Sequence, residues 1–208
     1  MASVASPYGL KPVNELGGTP YAGATRSYLI DPAGTASNIY NGSPVYVNAS
    51  GYLAVATATG ADATTNGFPV GTANTGIVGV FVGCSYINAQ GQVIYAQYYP
   101  TGTTGVINAY VVDDPGVVFQ VQSAGTVTQA AVGANVFFST GAVATGSTST
   151  GNSTASVVAG ASAVTTTAAF RVVGFVNMQG FSTVGDAYTD ILVKINPVSH
   201  TFTNAVGL

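Results

Sequence analysis

Ile77-Val-Gly-Val-Phe-Val82 is the stretch whose reading decides the fold. It is a short run of β-branched and aromatic residues with a single glycine, and the longest apolar window around it, residues 76–84, is no longer than a strand. An apolar block of this length between turn residues fits a strand buried on both faces, whereas a core helix needs ten or more residues and a 3.6-residue stripe. Working outward, blocks of the same kind recur at residues 26–30, 44–47, 52–56, 93–99, 107–112, 117–121, 136–138, 170–176 and 190–195. Turn chemistry separates them: Asp31-Pro-Ala-Gly34, Asn48-Ala-Ser-Gly51, and Pro100 after Tyr99. No window carries a helical stripe, and Lys, Arg and Glu together number only five. The expected fold class is all-β, a short-stranded β-barrel or sandwich.

Composition narrows the function. Charged residues are 5% of the 208, against about 25% in an ordinary soluble chain. Apolar residues are 47%, enough for a substantial core. A chain with so few charges lacks the usual means of staying monomeric and suits a permanent assembly. Two lysines and two arginines, scattered along the chain, make no basic patch, so no nucleic-acid partner is expected. No run of about 18 apolar residues suggests a membrane span, and Met-Ala-Ser-Val-Ala-Ser is a poor secretion signal. The single cysteine, Cys84, reads as a small buried hydrophobe, consistent with synthesis in a reducing cytoplasm.

Residues 1–24 read as an extended N-terminal arm. Pro7, Pro12, Pro20 and Gly17-Gly18 all oppose helix and regular pairing. The arm is expected to order against a neighbouring subunit. Residues 25–208 form the β domain, with two related halves at about 36–122 and 127–197. The halves are suggested by Gly42-Ser-Pro-Val-Tyr-Val47 against Gly133-Ala-Asn-Val-Phe-Phe138, and by Ile77–Val82 against Val172-Val-Gly-Phe-Val176, which places Gly79 opposite Gly174. Residues 57–76 read as a polar loop, and the Ser/Thr/Ala/Gly/Val tract at 139–168 as ordered but exposed.

The order of motifs along the chain resembles structural proteins encoded near the major capsid gene of marine and freshwater tailed phages. Ser6-Pro-Tyr-Gly-Leu-Lys-Pro-Val13, Asn38-Ile-Tyr-Asn-Gly-Ser-Pro-Val45, Gly79-Val-Phe-Val-Gly-Cys84, Ala109-Tyr-Val-Val-Asp-Asp-Pro115 and Val193-Lys-Ile-Asn196 carry it. The first half is also similar to lambda-type head decoration proteins. The resemblance implies a capsid cement, or decoration, protein: a homotrimer on the outer surface of the bacteriophage head, made in the host bacterial cytoplasm and bound to the major capsid protein. A fibre-like or adhesin-type glycan-binding domain is the alternative.

Candidate chemistry is sparse. His200 is the only histidine and lies near the chain's end, where a hydrogen-bonded structural role is expected. Asp113-Asp114 precedes Pro115-Gly116 and reads as a turn; adjacent strand carboxylates point to opposite faces and share no site. Asp186 and Asp190 lack a third carboxylate for a cation site. No catalytic, cofactor-binding or metal residues are therefore assigned, and no enzyme is expected. Partner binding is assigned to Pro7, Tyr8, Leu10 and Pro12 of the arm and to Tyr95, Tyr98 and Tyr99. In a regular strand, Tyr95, Gln97 and Tyr99 share one face, and an exposed tyrosine gives contact area with a polar tip.

Overall fold

The structure, a computed structural model, describes residues 4–56, 76–139, 145–158, 168–176, 178 and 181–203. Among these the regular elements are strands, apart from short 3-10 turns at Gln129–Ala131 and Pro197–Ser199. The protein is all-β, as the strand-length blocks indicate.

Two five-stranded rings account for almost all of it. The first uses β2 (Arg26–Ile30), β3 (Pro44–Val47), β4 (Leu53–Val55), β5 (Gly79–Ile87) and β7 (Ile107–Val112), with β6 (Val93–Ala96) as a flap on β5. Antiparallel β3–β4, parallel β4–β2, antiparallel β2–β7 and β7–β5 are followed by an antiparallel β5–β3 seam that closes the ring. The second ring uses β8 (Val117–Ala124), β9 (Asn135–Val136), β10 (Val157–Val158), β11 (Phe170–Phe175) and β12 (Asp190–Ile195). Here β8 pairs antiparallel with β12, β12 with β11 and β11 with β9. Phe138, just past β9, bridges antiparallel to Val157, and β10 returns parallel to β8. Each seam of one ring has a counterpart of the same sense in the other: β2, β3, β4, β5 and β7 map onto β8, β9, β10, β11 and β12.

The correspondence holds at single residues. Val45 opposes Gly79 and Val136 opposes Phe170. The Gly42 N–H donates to the Phe81 carbonyl at 2.8 Å, and the Gly133 N–H to the Val172 carbonyl at 2.9 Å. Both glycines have φ of 84°, a left-handed conformation that side chains disfavour. The sequence match of Gly42–Val47 with Gly133–Phe138 is therefore in true structural register. The second match is not. Register breaks fall between Phe81 and Gly83 in β5 and between Val172 and Gly174 in β11, so each strand bulges at a valine followed by glycine. Gly174 thus corresponds to Gly83, four residues from the expected Gly79. A Cβ on Gly79 would overlap the Val112 carbonyl oxygen, whereas nothing lies within 4 Å of one on Gly174.

The halves also divide elsewhere than the sequence suggests. The first barrel begins at Arg26 and ends at Val112; the second begins at Val117, the Asp113–Gly116 turn being the link. Strand β8, assigned by sequence to the first half, opens the second. Two buried clusters form the core: Ile30, Val45, Leu53, Phe81 and Ile107 fill the first barrel, while Phe119, Val136, Phe138, Phe170 and Ile191 of the second are joined by Ile77, Val80 and Val112 from the first. Phe138 and Phe170 meet edge-to-face with centroids 4.6 Å apart.

The N-terminal arm is a correction. Residues 11–15 form β1 (Lys11–Glu15), an antiparallel strand on the edge of β8 in the second barrel. Leu10 is fully buried in the second core, and its N–H bonds the Gly42 carbonyl of the first barrel at 2.9 Å. Upstream, the Ser6 N–H donates to Gln122 Oε1. Prolines at 7 and 12 did not keep the segment off the sheet, because an edge strand tolerates a missing donor. The C-terminal segment crosses the other way: Ile77 N–H donates to the Ser199 carbonyl, and Thr201 N–H to the Ile77 carbonyl. Each terminus fastens the barrel it does not belong to.

The expected loop at 57–76 lies outside the described residues except for Gly76. The 139–168 tract is only partly described, and that part is not simply exposed. Ser153, Ala155 and Val157 are buried, and β10 closes the second barrel.

Candidate interaction face

The outward face of β2-β7-β5-β6 carries alternate residues of four adjacent strands. In one row, Leu29 opposes Asn108, Asn108 opposes Ser85, and Ser85 opposes Tyr95. In the next, Ile87 opposes Val93. Val106 precedes β7, one step beyond the last β5–β7 pair, Tyr86 with Ile107. Leu29, Ile87, Val93, Tyr95 and Val106 are all exposed, Tyr95 at 78%. The polar groups among them are uncharged, and Ser85 and Tyr110 hydroxyls bond each other at 3.0 Å. Strand alternation builds this face: Ile107, Ala109 and Val111 point into the first core, so their neighbours point out. Scattered exposed hydrophobes are normal, but a contiguous set rimmed by polar residues marks an interaction surface.

Of the residues assigned to partner binding, only Tyr95 lies on this face. Strand β6 ends at Ala96 and the chain bends at Gln97 and Tyr98, so Tyr95, Gln97 and Tyr99 do not share a side. Tyr99 is fully buried; its hydroxyl donates to the Thr103 carbonyl at 2.9 Å and accepts from the Thr35 N–H. Tyr98 is half-buried and stacks on Tyr40 with centroids 5.6 Å apart. Leu10 and Tyr99 therefore serve the chain's own cores. Pro7, Tyr8 and Pro12 are half-buried along the second barrel. Tyr8 donates to Asp190 Oδ1 at 2.9 Å, while Lys11 sits over its ring. Burial first, then the Asp190 charge, raises the Tyr8 pKa above that of an ordinary phenol.

Sequence reasoning missed Leu29, Ile87, Val93 and Val106. The available signal was Asn88-Ala-Gln-Gly91-Gln92, a turn that makes Ile87 and Val93 opposite partners in a hairpin. The Asn88 N–H donates to the Gln92 carbonyl, and Asn88 Oδ1 accepts the Gln90 and Gln92 N–H groups.

Four of the chain's ionisable groups, Arg26, Asp113, Asp114 and His200, meet at the link between barrels. Arg26 Nε lies 3.1 Å from Asp113 Oδ2, which also accepts the Tyr28 hydroxyl at 2.6 Å. Burial and that hydrogen bond raise the Tyr28 pKa. The Arg26 guanidinium lies over Phe202. His200, fully buried, accepts the Phe202 N–H at Nδ1, so Nε2 bears the proton and donates to the Asp113 carbonyl at 3.1 Å. Burial pulls its pKa below the ordinary 6.5, outweighing the Asp113 and Asp114 charges. Asp114 Oδ1 accepts the Gly116 N–H at 2.7 Å, the turn expected there. An open cleft of about 550 Å³ lies over this corner. Burial alone pushes the Cys84 thiol up to about 12. Among the described residues, no three His, Cys, Asp or Glu side chains group as metal ligands would. No protein-family model, curated protein or solved structure matches the chain.

Proposed function

We propose that the chain is a virion structural protein, a capsid cement protein that binds the outside of a tailed-phage head and holds neighbouring major capsid subunits together. The carrying observation is the uncharged apolar face of the first barrel, centred on Tyr95, Val93 and Ile87. The order of sequence motifs from Ser6 to Asn196 supports the same reading and implies a homotrimer. Binding rests on apolar contact, not on ion pairs, so it depends little on salt. The test is rebinding of purified protein to heads stripped of it. The bound fraction stays constant from low salt to about 1 M, where the Debye length has fallen to about 3 Å. Release by moderate salt contradicts the proposal. Tyr95→Lys with Val106→Lys weakens rebinding without unfolding, since both side chains are exposed.

A second reading, a glycan-binding fibre or adhesin domain, has one observation in its favour. Tyr95 opposes Ser85, whose hydroxyl bonds that of Tyr110, so an aromatic face sits near polar groups suited to a sugar. Reproducible sugar binding on a glycan array, lost with Tyr95→Ala, selects this reading.

A further inference from the structure

The outer edge of β6 is open, and its chemistry fits a second copy of itself. In the β5–β6 hairpin, Asn88 and Gln92 form the hydrogen-bonded pair nearest the turn. Pairs in an antiparallel ladder alternate, so Ile87–Val93 and Ser85–Tyr95 are non-hydrogen-bonded pairs, while Tyr86–Ile94 is hydrogen-bonded. The backbone N–H and C=O groups of Val93 and Tyr95 therefore point away from β5. Among the described residues no strand receives them, since β6 pairs only with β5. Val93 and Tyr95 are also 59% and 78% exposed. Natural edge strands are usually protected by lysine, proline or a bulge; Val93-Ile-Tyr-Ala96 has no charge, no proline and no register break.

We infer that β6 pairs antiparallel with β6 of a second copy about a two-fold axis through Ile94. This register alone sets Val93 opposite Tyr95 of the partner subunit and Tyr95 opposite Val93 of the partner subunit, each pair exchanging two backbone hydrogen bonds. Ile94 then meets its own counterpart as a non-hydrogen-bonded pair. The outward groups of the edge are thus satisfied by the same groups of a copy, without a gap or a slip. Side chains agree: apolar Val93 and Tyr95 meet each other, and the face carries no charge for a copy to repel, although the chain's net charge is −3. The two sheets join into one, continuous from β2 of one copy to β2 of the other. The inference goes beyond the capsid reading and does not depend on it. A homotrimer built through other surfaces keeps this edge, and the contact then joins trimers in pairs.

The test uses the full chain. Ile94→Cys places thiols about 4.5 Å apart at Cα across the axis, within disulfide reach. Mild oxidation is expected to give a covalent dimer as the main product, while Ser27→Cys, exposed on β2 away from the edge, gives only background. Native Cys84 is buried and does not compete. Tyr95→Pro removes an outward N–H that the chain's own sheet does not use, so it leaves the fold intact. By sedimentation at high concentration, the wild-type mass is expected to be twice that of Tyr95→Pro, whatever unit the remaining contacts build. Equal masses, or equal cross-linking at positions 94 and 27, overturn the inference. So does a cross-link at 94 that persists when Tyr95→Pro is added.

Discussion

Gly42 and Gly133 occupy matching corners of the two barrels, yet their surroundings differ. Alanine at either forces a left-handed conformation costing about 1–2 kcal/mol. At Gly42 the new Cβ also lies 3.0 Å from the Leu10 backbone nitrogen, whereas at Gly133 it meets nothing within 4 Å. Gly42→Ala is therefore expected to lower thermal stability more than Gly133→Ala. Gly79→Ala, pressed against the Val112 carbonyl, costs about 1–3 kcal/mol. Gly174→Ala changes stability by less than about 0.5 kcal/mol. Melting curves of the four variants check the order, and a severe loss for Gly174→Ala contradicts the corrected alignment. His200 gives a pH signature. Its folded pKa lies below 6.5, so the unfolded chain takes up a proton that the fold resists. Stability from this group is complete above pH 6.5 and falls as pH drops from there towards the folded pKa. Comparing melting between about pH 7.5 and 5.5, His200→Gln is expected to lower the baseline but flatten this part of the slope. The buried, structural roles of His200 and Cys84 were legible from their isolation in the sequence. The partners of His200 were not, because the Asp113 carbonyl comes from a distant turn.

At the scale of elements, strand existence was written in the local pattern, and strand pairing was not. The block at 77–82 continues to Ile87 because Val82 bulges, shifting which side chains face the core, and alternation alone does not reveal a bulge. The repeat alignment slipped by four residues because Val-Gly occurs twice in this stretch, at Val78-Gly79 and Val82-Gly83, and only the second matches Val173-Gly174. Strand β1 was misread as an arm because two prolines dominate its composition, although the alternation at 11–15 matches an edge strand, exposed at Lys11, Val13 and Glu15. Removing it has a structural cost. Leu10→Ala empties a fully buried site and is expected to destabilise by about 2–5 kcal/mol in chemical denaturation. Deletion of residues 1–15 bares the β8 edge and is expected to destabilise or unfold the second barrel. A deletion variant that melts like the full chain shows that β1 contributes nothing to the fold. Of the three tyrosines only Tyr95 is exposed; Tyr98 is half-buried and Tyr99 buried, because the chain bends where β6 stops.

For the whole molecule, composition was the best guide. A chain with so few charges folds into tandem barrels, sets the Arg26–Asp113 ion pair at the link between them, and leaves an apolar face exposed. Duplication was half legible, in the Gly42 and Gly133 corners, because turns demand particular residues while core positions accept any hydrophobe of suitable size. The crossed termini were illegible, since no local signal tells a strand which barrel it will complete. They also make each barrel incomplete alone. Residues 25–114 expressed separately lack the tail that pairs with Ile77, and are expected to be less stable than the same barrel within the full chain. The cement reading is tested most directly by high-resolution imaging of intact phage particles assembled with the protein. The cement reading predicts paired-barrel density repeated over the outer head surface, with the Tyr95 face against capsid subunits. Density confined to fibres or tail, or its absence from the head, contradicts it.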